Sequence, residues 1–301
     1  MPRVRFGVAL LVPPPFDREI DGLRRACGDR HIRRVPPHIT LVPPVNVRMD
    51  EVPSALRILR DAASATMTSL ELAIGPPRSF VPDTDSVYLA VTGDPEALAA
   101  LAALRDRVFR APLWRELDWP FVPHVTIADV AEPSRLAAIL AALADYRIVA
   151  GFGVVHLLEE QRDDEGRRRW VPVADACFAR PAIVGRGGYE LELTRSNLRD
   201  PEVTTFEHTH WAVLGRPAPV LVCPAGGEPV VITARRRGIV VGSLHGWLRD
   251  DGAEITSTIV DAAVRGVGIG RHLRLAFEWA EAQWRAHADA PGGSVGRPGC
   301  D

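Results

Sequence analysis

Two short segments hold residues that can do acid–base chemistry. Pro37-His38-Ile39-Thr40-Leu41 and Pro123-His124-Val125-Thr126-Ile127 repeat one pattern: proline, histidine, β-branched residue, threonine, apolar residue. A single His-x-Thr carries little information. Two copies, both after proline and both followed by apolar residues, carry much more. Side chains on a strand alternate between faces, so His38 and Thr40 share one face while Ile39 and Leu41 take the other. The same parity joins His124 to Thr126. Imidazole titrates near neutrality, so one histidine can accept a proton from a nucleophile while the other gives one to a leaving oxygen. Two hydroxyls beside them can hydrogen-bond the oxygens of the reacting group. This chemistry requires no metal.

The elements that would position these residues follow from periodicity. Residues 4–12 read as a buried strand, 16–27 as a helix, 38–42 as a short strand, 51–64 as a helix and 70–75 as a strand. The order then begins again. A strand over 86–92 is followed by a helix that Asp94-Pro95 starts, a strand over 124–128, a helix from Pro133 and one long strand over 147–158. A polar turn at Arg162–Gly166 leads to a last strand near 169–174. The order β-α-β-α-β thus occurs twice, with a His-x-Thr strand in the middle of each copy. This predicts a duplicated, two-lobed α+β domain over residues 1–182 whose two motifs face one cleft.

Both motifs and the duplicated order resemble the 2H phosphoesterase superfamily, which includes the 2′-5′ RNA ligase and RNA 2′,3′-cyclic phosphodiesterase proteins. The resemblance implies His38 and His124 as general base and general acid, in either assignment, with Thr40 and Thr126 binding the phosphate. It also implies RNA ends or small nucleotides as substrates and no cofactor. A non-catalytic sensor of RNA ends or nucleotides would keep the same cleft. Arg33 and Arg34 before the first motif could meet a phosphate, and Trp119 and Phe121 before the second could stack a base. Arg167–Arg169 read as surface.

Composition narrows the field. The 301 residues are 47% hydrophobic and 25% charged, with a formal net charge of −2. That excludes nucleic-acid binding by bulk charge but not by a local basic cleft. The chain has no lysine, so Schiff-base chemistry, a Walker phosphate loop and a lysine-nucleotidyl intermediate are excluded. Cys27, Cys177, Cys223 and Cys300 are scattered and read as free thiols in a cytoplasmic protein. No segment offers the roughly 20 apolar residues of a membrane helix.

Near Pro181–Gly188 the composition shifts to glycine and proline, as a linker would. Beyond it, residues 229–234 and 238–244 read as a hairpin, 253–260 as a strand and 268–286 as an amphipathic helix. Between the last two lies Arg265-Gly-Val-Gly268-Ile-Gly270-Arg271. Amides at a helix N-terminus can bind phosphate where glycine permits close approach. This order resembles the GNAT N-acetyltransferase family over residues 188–287, as a partial α/β domain. The resemblance implies acetyl-CoA held at Arg265, Val267, Gly268, Ile269, Gly270 and Arg271, and Glu254 as a residue near the amine. The domain is expected to be incomplete, because few residues follow Gly270 and the last tyrosine is Tyr189. Residues 288–301 read as a disordered tail. His208-Thr-His210 lacks a third ligand at useful spacing, and His31, His156, His245, His272 and His287 stand alone.

Overall fold

A computed structural model describes residues 1–288 apart from 68, 131, 221–223 and 225. The chain divides into two compact units, Met1–Ala182 and Ile183–Asp301. Cys27 and Cys177 are both buried. Cys223, Cys300 and the expected tail beyond residue 288 lie outside the described residues.

The first unit follows the order β1 (Arg3–Leu11), α1 (Phe16–Ala26), β2 (His38–Arg48), α2 (Val52–Ser64), β3 (Leu70–Ser79), β4 (Ser86–Thr92), α3 (Pro95–Val108), β5 (His124–Asp129), α4 (Pro133–Ala142), β6 (Ile148–Phe152), β7 (Val154–Arg162) and β8 (Arg168–Cys177). Its strands form two antiparallel sheets, β2-β1-β7-β8 and β5-β4-β3-β6. α2 and α3 bury a stripe each, whereas α1 buries Ile20 and Arg24 and α4 only Ile139. Ala97, Leu101, Leu104 and Val108 of α3 recur at the helical period and are buried. Asp94 caps that helix by accepting from the Ala97 amide at 2.7 Å.

Three expectations need correction. The stretch 147–158 is two strands rather than one. It bends at Gly153, so β6 pairs with β3 in one sheet while β7 pairs with β1 and β8 in the other. The sequence repeats therefore do not coincide with the sheets. β3, the last strand of the first repeat, lies in the second sheet, and β7 fills the matching place in the first. Each His-x-Thr strand is central in its repeat but lies at the edge of its sheet.

Two strands also run further than expected, through pairs of prolines. β2 continues through Pro43 and Pro44, and the ladder with β1 shifts register between Val42 and Val45. An edge strand tolerates the two missing amides. β3 runs through Pro76 and Pro77, where only β4 pairs with it, since β6 reaches no further than Ile74. Gly75 has φ +117°, and a Cβ there would collide with the Tyr146 carbonyl, so only glycine fits.

The second unit contains β9 (Val184–Arg186), β10 (Glu192–Ser196), α5 (Pro201–Val213), β11 (Glu228–Arg236), β12 (Ile239–Arg249), β13 (Gly252–Val260) and α6 (Ile269–Ala288). The strands β10-β11-β12-β13 form an antiparallel sheet. Ile269, Leu273, Phe277, Ala280 and Trp284 of α6 pack on Val230, Ile232, Leu244 and Leu248. Val203 and Phe206 of α5 pack with Val240 and Ile259. Neither β10 nor α5 was expected. No helix among the described residues is long and apolar enough to cross a membrane.

Candidate active site

The two motifs sit in matching frames. His38 begins β2 opposite Leu11 of β1, and His124 begins β5 opposite Ala90 of β4. The preceding proline carbonyl is pinned by the neighbouring strand in both places. Pro37 accepts from the Val12 amide at 2.9 Å, and Pro123 accepts from the Val91 amide at 3.2 Å. Each imidazole then donates from Nδ1 to the carbonyl two residues back. His38 reaches Pro36 at 2.8 Å, and His124 reaches Val122 at 2.7 Å. A carbonyl can only accept, so Nδ1 carries the proton and Nε2 is the nitrogen left for chemistry in both rings. The strands themselves, β2 and β5, lie against each other.

The surroundings of the two rings differ. Phe80 and Tyr88 stack at 4.1 Å and meet the His124 ring edge-on at 5.0 and 5.2 Å. Tyr88 also stands opposite Thr126, whereas the small Ala9 stands opposite Thr40. A cleft lies beside His38. It has a volume of about 210 Å³ and is lined by His38, Thr126, Arg24, Arg34, His31 and Trp170, among others. It brings the histidine of one motif together with the threonine of the other. Thr40 and His124 are not among its lining residues.

Electrostatics set the protonation of both rings. Burial pushes His38 down from the ordinary imidazole range to about 4; its bond to Pro36 opposes this, and the charges of Arg24 and His124 add to it. Burial also lowers His124, against the bond to Val122. Arg24 is itself buried and fully engaged. It donates to Asp29 at 2.7 Å, to Asp21 at 2.9 Å and to the Val35 carbonyl at 2.9 Å. It is thus a fixed cation beside His38. At the rim His31 Nε2 stands 3.7 Å from Asp129, which accepts from Ser86 at 2.7 Å.

The other residues singled out from sequence fall elsewhere. Arg34 lines the cleft, while Arg33 is exposed. Trp119 is exposed beneath Arg115, and Phe121 sits near Arg105. Arg167 pairs with Asp163 and Glu165. His156 is no solitary residue: its Nδ1 meets Asp175 at 2.7 Å in a buried pair. Sequence reasoning missed Arg24, Phe80, Tyr88 and Trp170. Strand parity could have found Tyr88, which lies opposite Thr126.

The glycine turn of the second unit joins β13 to α6. Gly266 and Gly268 have φ +81° and +98°, which favour glycine. A Cβ on Gly270 would meet open space, so packing does not demand glycine there. Ile269 is buried in the core and Val267 packs against it, while Arg265 is exposed and donates to the Val260 carbonyl at 2.9 Å. One expected donor is spent, since the Arg271 amide bonds to the Gly268 carbonyl at 3.1 Å. Glu254 is exposed opposite Trp247. His208 and His210 lie on α5, and His210 packs on Phe206. His245 forms a buried cluster with Glu207 and Ser243, whose hydroxyl donates to Glu207 at 2.6 Å. No group of three or more metal-ligating side chains occurs among the described residues.

Comparison with known proteins finds relatives of the first unit. A Bacillus cytotoxicus protein carrying a provisional phosphoesterase name is 30% identical over 140 residues, 46% of this chain and 78% of the relative. A Bacillus anthracis protein with a similar name is 29% identical over the same extent. Among solved structures, Escherichia coli LigT complexed with 3′-AMP has 16% identity and a TM-score of 0.44, covering 59% of this chain and 99% of that one. The family profile that matches residues 12–164 spans β2 and β5 with both His-x-Thr motifs, and the chain belongs to the 2′-5′ RNA ligase superfamily.

Proposed function

We propose that the first unit is a metal-independent phosphoesterase acting on 2′,3′-cyclic phosphate or 2′-5′ phosphodiester ends of RNA or nucleotides. One observation carries this reading: two histidines on equivalent edge strands, each held by a backbone carbonyl in the tautomer that frees Nε2. The family and the provisional phosphoesterase names of its Bacillus relatives support it.

His38, with its lowered proton affinity, is the base. Its Nε2 takes a proton from water as the water oxygen bonds to phosphorus. The bond from phosphorus to one ribose oxygen breaks, and His124 Nε2 gives that oxygen its proton. Exchange with solvent resets both rings. Thr40 and Thr126 donate to the non-bridging oxygens, and Arg24 adds a fixed positive charge beneath the developing negative one. Incubation in EDTA with a short RNA ending in a 2′,3′-cyclic phosphate tests the reading. The parent opens the ring and His38→Ala and His124→Ala do not. Equal rates in parent and variants overturn it.

A second reading concerns the glycine turn, where the open space at Gly270 and the positive φ of Gly268 favour an anion on the α6 N-terminus. We infer that Val267–Gly270 and Arg265 hold the pyrophosphate of acetyl-CoA, whose thioester would supply an acyl group. Calorimetry with acetyl-CoA is expected to show saturable binding that Gly268→Asp abolishes. No binding to the parent removes this reading.

A further inference from the structure

The cleft continues into a basic strip on the same face of the first sheet. Ala9, Gly7 and Arg5 of β1 share a face with His156, Leu158 and Glu160 of β7, as their pairing shows. Thr40 stands opposite Ala9 and His38 opposite Leu11, so the motif residues lie on that face too. On β8, Trp170 stands opposite Glu160 and Arg168 opposite Arg162. A Cβ on Gly7 would lie 3.7 Å from the Trp170 ring, which fixes that ring over the same face.

Charge along this strip is unbalanced. Three arginines share one carboxylate: Arg5 at 3.4 Å, Arg34 at 3.5 Å and Arg168 at 3.8 Å from Glu160. The arginine side chains are 40%, 39% and 52% exposed, while Glu160 is 13% exposed, so the cations face water and the anion lies beneath them. Arg34 Nε is buried without a hydrogen-bond partner, and Glu160 holds this guanidinium only by a long ion pair. Arg3, one strand period beyond Arg5, is exposed at the end of the strip. Along β1, Ala9 to Arg5 spans about 13 Å at the usual strand rise. That is far beyond one phosphate and within reach of phosphates a few nucleotides away.

We propose that Arg5, Arg34 and Arg168, with Trp170 beside them, form a track for the backbone of a single-stranded RNA whose end lies in the cleft. The arginines take successive phosphates and the Trp170 ring stacks a base. Net charge gives no hint of this track, because the chain as a whole is slightly acidic. The inference rests on the phosphoesterase reading for the identity of the polymer, while its test reads binding without turnover.

The test uses a fluorescein-labelled ten-nucleotide RNA with a plain 3′-hydroxyl and measures anisotropy from about 50 to 200 mM salt. The parent binds with a steep salt dependence. The double variant Arg5→Ser/Arg168→Ser is expected to bind at least tenfold more weakly at 100 mM salt. Its log–log slope falls by about 1.4, at roughly 0.7 per lost phosphate contact on a single strand. Turnover of a nucleoside 2′,3′-cyclic phosphate stays within about twofold of the parent, because a mononucleotide does not reach the strip. An unchanged slope and affinity overturn the proposal. So does an equal loss of mononucleotide turnover, which would make these residues supports of the cleft. If neither protein turns over a cyclic phosphate but the slope still depends on the arginines, the track stands and the phosphoesterase reading falls.

Discussion

Acidification separates His38 from an ordinary histidine. Burial holds this imidazole near 4 instead of 6.5, a difference worth about 3 kcal/mol between its charged and neutral forms. As a base it must be neutral. At pH 5 a group titrating near 4 is about 90% neutral, whereas an unperturbed imidazole is only about 3% neutral. The structure therefore predicts that the rising limb of kcat/KM lies near pH 4, and that base availability at pH 5 is roughly thirtyfold higher than an exposed histidine would give. In the proposed mechanism the falling limb belongs to His124, which as the acid must be protonated. Its lowered proton affinity puts that limb below the usual imidazole value, so the profile is bell-shaped and acidic. The assay is initial-rate hydrolysis of a nucleoside 2′,3′-cyclic phosphate, followed by chromatography at subsaturating substrate from pH 3.5 to pH 8, conditions under which free-enzyme ionisations are read. A rising limb near 6.5 refutes the argument that burial sets His38 up as the base.

The remaining predictions concern single residues. Thr40→Val and Thr126→Val each remove a hydroxyl proposed to donate to the phosphate, and each should lower kcat/KM by about tenfold to a hundredfold without changing either pH limb. Arg24→Met strands the buried Asp29 carboxylate and should cost about 3–5 kcal/mol in urea unfolding of the first unit. Leu101→Ala empties a fully buried site on α3 and should cost about 2–5 kcal/mol in the same measurement. In the second unit, burial raises the Glu207 carboxyl, but hydrogen bonds from His245, Ser243 and Arg199 outweigh this and lower it overall. A lowered carboxylate contributes stability that is present above its unfolded value near 4.5 and is lost as pH falls through the folded value. Glu207→Gln should therefore flatten the acid side of that unit's stability curve, read by circular dichroism, and leave cyclic-phosphate turnover unchanged.

What could be read in the chain, and what could not, divides along physical lines. The His-x-Thr strands were legible because strand parity is local: two residues apart means one face, whatever the rest of the chain does. Helices α2 and α3 were legible from their own buried stripes, and α3 and α4 from the prolines that open them. The path from sheet to sheet was not, since the bend at Gly153 lies inside an otherwise continuous apolar run, and only pairing partners reveal that β6 and β7 part company. The lengths of β2 and β3, which run on through prolines, were not legible for a related reason. Proline ends a strand only where a ladder bond is needed on that side, and whether one is needed depends on which neighbour is present.

The candidate site shows the same division more sharply. Both histidines were found from their types and spacing, yet the feature that distinguishes them is supplied by residues far away in sequence. Phe80 and Tyr88 pack edge-on against His124, while the small Ala9 stands opposite Thr40 in the first motif. Arg24, from the first helix, then lies beside the cleft as a buried cation anchored by Asp21 and Asp29. A duplicated motif tends toward two equivalent imidazoles, and with equal proton affinities nothing selects which ring is the base and which the acid. The unequal fillings of the two halves break that equivalence. Burial and the charge of Arg24 hold His38 down, and the cleft lies on its side, so in the proposed reaction His38 is the base and the substrate sits beside it.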